Sequence, residues 1–175
     1  MDQSRPTIIE VTSKTMVTHT ITYFVMGLLA FTVFEYGRLY AETSLNTLMR
    51  QTSERLVMAG PLFQPIRGIL FGIVFFLLRD TLFGRKNGWL VMWITLLVVG
   101  IISPFGPTPG SIEGMIYTVL PMELHLTGLP EVILQALILS VVLIYWVNHP
   151  EKKWLNWVMG VAFVLTLLLP ALGLL

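Results

Sequence analysis

Arg67 is the residue that asks most of its surroundings. Eleven uncharged residues, 68–78, separate it from Arg79. A guanidinium inside so apolar a stretch is costly unless it is paired, hydrated or able to reach a membrane interface. Its planar fork of donors suits a carboxylate or phosphate, which it can grip through two parallel hydrogen bonds. Two acids are candidate partners. Glu35 follows the largely apolar run 24–34, and Glu131 opens another apolar run just after Pro130. Gln64 lies one helical turn before Arg67 (roughly), and Gln135 lies one turn after Glu131, on the same helical face.

Between these runs, the stretch 104–128 adds Glu113, Tyr117, Glu123 and His125. Together these side chains allow two kinds of chemistry. In a binding or transport site, Arg67 holds an anionic group and a carboxylate carries a proton or cation, with Glu35, Gln64, Tyr117, Glu131 and Gln135 completing the ligand shell. In a membrane enzyme acting on a lipid or prenyl-linked substrate, Glu113 or Glu131 serves as general base, His125 as acid or base, and Arg67 as phosphate clamp. Plainer roles compete with both. An acid in a first helical turn is favoured by the helix dipole, which covers Glu131 after Pro130. Glu113 fits the first turn of a short helix capped by Ser111, and Arg67 can snorkel to the headgroups. If only such roles apply, the chain is a non-catalytic subunit of a larger membrane complex.

Other chemistry is set aside. His125 with Glu113, Glu123 and Glu131 matches no metal-ligand spacing. His19 and His149 both read as lying near the inner face and do not resemble haem ligands. No nucleophile elbow or phosphate-binding loop is present, and no motif names a cofactor. The chain contains no cysteine, which removes disulfides, thiolate catalysis and Cys-ligated metals.

The elements that carry these residues follow from composition. The 175 residues are 55% hydrophobic and 12% charged, and about 25% charge is usual in a soluble domain. The apolar residues come in long runs, so the expected fold class is all-α: a polytopic integral membrane helix bundle with lipid as its immediate partner. Five transmembrane helices are expected, at about 17–37, 61–82, 89–103, 129–147 and 154–174, in one domain that follows an N-terminal segment, 1–16. The third is short: 15 residues reach about 22 Å of a roughly 30 Å hydrocarbon core. No cleavable signal peptide is visible at the N-terminus. A net charge of +1 without a basic face argues against nucleic acid as a partner.

Lysine and arginine set the orientation. One side has Arg5, Lys14, Arg79, Arg85, Lys86, Lys152 and Lys153; the other has Arg38, Arg50 and Arg55. The N-terminus is therefore expected in the cytoplasm and the C-terminus outside a cell membrane crossed several times. That places the polar residues above at the extracytoplasmic leaflet. Leu45, Leu48, Met49 and Leu56 predict an interfacial amphipathic helix at about 39–58. The Gly- and Pro-rich stretch 104–128 predicts a structured or re-entrant loop. Gly68 and Gly72 form a GxxxG pair, a candidate contact for a homo-oligomer.

Overall fold

The computed structural model describes residues 5–174. Those residues are helical or irregular throughout, with no strand. Four helical stretches are long and apolar enough to cross a membrane: Ile8–Val33, Gly60–Leu77, Met122–Asn148 and Lys153–Gly173. The protein is a membrane-embedded helix bundle. Most of its exposed side chains along these helices are large and apolar, including Leu28, Leu29, Leu70, Leu77, Val161 and Leu172. In water such a surface would aggregate; in hydrocarbon it is solvated.

Helix α1, Ile8–Val33, is the hub, packed against α4 (Gly60–Leu77), α9 (Leu129–Asn148) and α10 (Lys153–Gly173). Its buried stripe is unusual for a soluble helix: Val11, Thr15, Thr18, Thr22, Met26 and Ala30 recur every three or four residues. Each of these threonines spends its hydroxyl on a carbonyl of its own helix. Thr15 donates to Val11 O at 2.7 Å and Thr18 to Lys14 O at 2.8 Å. Small side chains that satisfy themselves let helices approach closely where no hydrophobic force drives them together.

The α1–α4 crossing shows this most clearly. The helices run antiparallel in constant register, with Thr12 against Gly72, Met16 against Gly68, and His19 against Gln64. A Cβ on Gly68 would lie 2.6 Å from Met16 Cα, and one on Gly72 would lie 2.6 Å from Thr12 Cα. The GxxxG pair is therefore used inside the chain, and the homo-oligomer contact expected of it is not on offer.

Several boundaries differ from the sequence reading. Helix α1 begins at Ile8, capped by the Thr7 hydroxyl, rather than near residue 17, so half of the expected N-terminal segment is helical. Residues 39–58 do not form one amphipathic helix. They contribute to α2 (Tyr36–Glu42), a 3-10 turn (Ser44–Thr47) and α3 (Arg55–Met58). The break starts at Thr43, which is extended and caps Leu45 N; Asn46 and Gln51 side chains then bond Ala41 O and Tyr40 O. Polar side chains that bond nearby backbone offer it an alternative to helix.

After α4, a single turn, α5 (Arg79–Leu82), leads to α6 (Gly88–Thr95). It continues as a π-helical segment, Leu96–Ile102, in which Ser103 N reaches Val98 O at 2.8 Å. Helix 88–102 is apolar but too short to count among the four long spans. Residues 104–128 are structured, holding α7 (Ile112–Tyr117) and α8 (Met122–Thr127), the latter almost continuous with α9.

The core lies at one end of the bundle. Val11, Phe75, Leu82, Phe83, Met92, Leu139, Leu143, Ile144 and Val147 pack together there, beside the basic connections. At the same end Lys14 bonds Glu10 at 2.8 Å and the Trp146 carbonyl at 3.2 Å. The opposite end is open.

Candidate functional site

A cavity of about 310 Å³ occupies that open end. Helix α1 supplies His19 and Tyr23; α4 supplies Arg67 and Phe71. The π segment adds Leu96, Gly100 and Ile101, the following loop adds Thr108 and Pro109, and α9 contributes Glu131, Val132, Gln135, Ala136 and Leu139. Charged, polar and apolar side chains share the lining. On α4 Phe71 follows Arg67; on α9 Val132, Ala136 and Leu139 alternate with Glu131 and Gln135.

Arg67 stands on the rim, exposed, with its guanidinium carbon 5.3 Å from the Phe71 ring centre. Among the described residues it makes no hydrogen bond within 3.5 Å and no ion pair within 4.0 Å. The ion pairs found are Arg5–Asp80, Lys14–Glu10, Arg38–Glu35, Arg38–Glu42 and Arg50–Glu54. The cation–π contact returns only part of what a desolvated cation loses.

His19 is 1% exposed. Its Nε2 lies 3.2 Å from Gln64 Oε1, and Gln64 Nε2 reaches back to Gly60 O at 3.4 Å. That geometry makes Nε2–H the donor and leaves Nδ1 as a bare acceptor. Nδ1 is buried and has no partner, an unsatisfied acceptor on a residue that lines the cavity. The Phe71 ring meets the imidazole edge-on at 5.1 Å.

Glu131, in the first turn of α9, accepts a hydrogen bond from the Tyr36 hydroxyl at 2.5 Å. Tyr36 stacks on Phe34 and on Tyr40, with ring centres 5.9 Å and 5.4 Å apart. Burial, followed by the bond to Glu131, pushes the Tyr36 hydroxyl well above the usual phenol range, so it remains a donor to that carboxylate. The other carboxylate oxygen leans toward α1 at Gly27, 3.7 Å from where a Cβ would stand.

No protein-family model, curated protein or solved structure matches the chain.

Of the residues singled out in the sequence, Arg67, Glu131 and Gln135 line the cavity, and Gln64 holds its histidine from behind. Glu35 does not join them. It sits between α1 and α2 with left-handed backbone, φ 48°, and its carboxylate points to Arg38 at 3.9 Å. Tyr117 is exposed on α7, and Glu113 occupies the first turn of that helix behind the Ser111 cap. His125 is buried but committed: its Nδ1 accepts from Gly110 N at 3.1 Å, and its Nε2 faces Thr118 Oγ1 at 3.3 Å. It staples the loop, where Gly110 adopts φ 85° and a Cβ would strike Leu129 Cδ2 at 2.8 Å. No group of three or more His, Asp or Glu able to hold a metal ion occurs among the described residues.

Sequence reasoning passed over His19, Tyr23 and Tyr36. With a span starting at residue 17, His19 falls at the inner end. With α1 starting at Ile8, it lies eleven residues, or about 17 Å, along the helix axis. The signal available was the Thr7 cap with Glu10 three residues on, a capping-box pattern.

Proposed function

We propose that this membrane protein binds, and in transport would carry, a ligand with an anionic group held by Arg67. The observation that carries the reading is the unpartnered Arg67 guanidinium at a cavity whose buried His19 Nδ1 also lacks a partner. A charged group at that depth is retained only if something offsets its desolvation. Glu131, already tied to Tyr36, supplies a fixed negative charge across the cavity. It would exclude the wrong polarity or take the cationic end of the ligand.

In this reading helix 88–102 is a fifth span, shortened by its π segment and by local thinning of the bilayer. The basic end of the bundle faces the cytoplasm and the cavity faces outward. The loop 104–128 rests on the outer headgroups: Phe105, Ile116, Val119 and Met122 are all exposed on it. The enzymatic alternative loses its acid, because both His125 nitrogens are engaged in the loop.

The test is titration of inorganic phosphate into the purified protein in nanodiscs, followed by calorimetry and thermal unfolding. Arg67→Gln removes charge-assisted bonds worth about 1.5–3 kcal/mol, a loss of roughly tenfold to a hundredfold in affinity. Glu35→Gln, remote from the cavity, should bind as the native chain does. An Arg67→Gln protein that folds and binds phosphate normally would refute the reading. Orientation is tested separately with single cysteines, since the chain has none. An impermeant thiol reagent applied outside should label Thr108→Cys and spare Asn87→Cys.

A further inference from the structure

We infer that the ligand is an anionic amphiphile taken from the bilayer: its headgroup lies at Arg67 and its chain runs along the wall formed by Phe71 and the π segment. The inference rests on the Arg67 anion site proposed above and names the class of molecule that fills it.

Beside its polar groups, the cavity is lined by Phe71, Leu96, Ile101, Val132 and Leu139. A small hydrophilic anion would leave this hydrocarbon wall without a partner, whereas an alkyl chain matches it. The opening is lateral. Helix α4 packs on α1, α1 on α9, and α9 on α6 and the π segment, whereas α4 hardly touches α6 or the π segment, so the gap between them is the open side. Gly100 lies on that gap, exposed, and a Cβ there would meet no atom within 4 Å. The neighbouring Val98 and Val99 are exposed on the same segment, a surface that belongs in hydrocarbon.

Size supports the same choice. At about 310 Å³ the cavity is at the small end of ligand pockets, roughly 300–1,000 Å³. It takes a headgroup and the first part of a chain, while the rest stays in the bilayer. His19 Nδ1 fits this occupant, since a hydroxyl or protonated phosphate oxygen beside Arg67 can donate to it. The unwound, wider turn of a π segment recurs at functional sites; here it sets Gly100 on the wall.

The experiment compares inorganic phosphate with butyl, hexyl and octyl phosphate, titrated into the full chain in phosphatidylcholine nanodiscs. Partitioning into the disc raises apparent affinity for every variant alike, so the reading is the difference from Gly100→Phe, which fills the gap. The native protein should gain roughly fourfold for each methylene its wall buries, and Gly100→Phe should lose that gain. If Gly100→Phe does not fold, Ile101→Ala, which thins the same wall, makes the same comparison. Equal chain-length gains in native and variant proteins overturn the inference, as does binding of phosphate without binding of octyl phosphate. In both cases the anion site stands. If Arg67→Gln binds every probe as the native chain does, the anion site itself falls, and the amphiphile with it.

Discussion

Gly72→Ala tests the part of the architecture on which the cavity depends. The new Cβ would lie 2.6 Å from Thr12 Cα, a backbone atom that no rotamer change can move. Carbon atoms rest about 3.5–4.0 Å apart, so α1 and α4 must separate locally by about 1 Å. Overpacking of this kind costs about 1–3 kcal/mol, and a clash with backbone belongs in the upper part of that range. Alanine returns about 0.8–1 kcal/mol of helix propensity. The expected net loss is about 1–2 kcal/mol. Gly160→Ala is the control: it too sits in a helix, α10, but its Cβ meets nothing within 4 Å, so it should be neutral or stabilising by up to about 1 kcal/mol.

The separation also reaches the site. His19 and Gln64 share the crossing, and their bond at 3.2 Å fails if it stretches beyond about 3.5 Å. Stability is read from SDS titration in mixed micelles, with phosphate binding measured on the same samples. Gly72→Ala should lose both, and Gly68→Ala should behave alike, since its Cβ would lie 2.6 Å from Met16 Cα. Because the two clashes lie on one crossing, the double variant should cost less than the sum. A Gly72→Ala protein as stable as Gly160→Ala would refute the close crossing. One that keeps its fold but changes oligomeric state would show that the glycine face binds another copy.

Two other perturbations separate structural from ligand-facing groups. His125→Ala leaves the Gly110 N–H without its buried acceptor and should cost about 1–3 kcal/mol in thermal unfolding; His125→Asn, which restores an acceptor, should recover part of it. Full stability in the alanine variant with binding abolished would instead return His125 to the site. Tyr36 governs an alkaline limb. Its hydroxyl is held above the ordinary phenol value by burial and by Glu131, so its stabilising effect is complete below about pH 10 and is lost as pH rises toward the raised value. Tyr36→Phe should flatten that part of the stability profile between about pH 10 and 12, and an unchanged profile would show that the Tyr36–Glu131 bond contributes nothing.

What the sequence determined is membrane residence and the all-helical class. These depend on run length and on counting residues along an axis, which one dimension supplies. Helix rotation and neighbour identity do not. The same count put Glu35 level with Arg67, yet the chain turns at Glu35 through left-handed backbone and carries its carboxylate to Arg38. The glycine pair was legible as a close-approach motif, but only the packing showed that its partner is α1.

His19 is the sharpest contrast. Flanked by threonines, it reads as an ordinary residue near a helix start, because threonine looks polar in a list. In the bundle those threonines turn their hydroxyls onto their own carbonyls, and the buried face of α1 becomes small and closely packed. The larger imidazole is left beside the cavity with one nitrogen unpaired. Composition fixed where in a cell such a chain can reside, since burying apolar runs in lipid is additive over residues. Tertiary structure decided which polar groups remain unsatisfied, since satisfaction depends on partners that are distant in sequence and near in space.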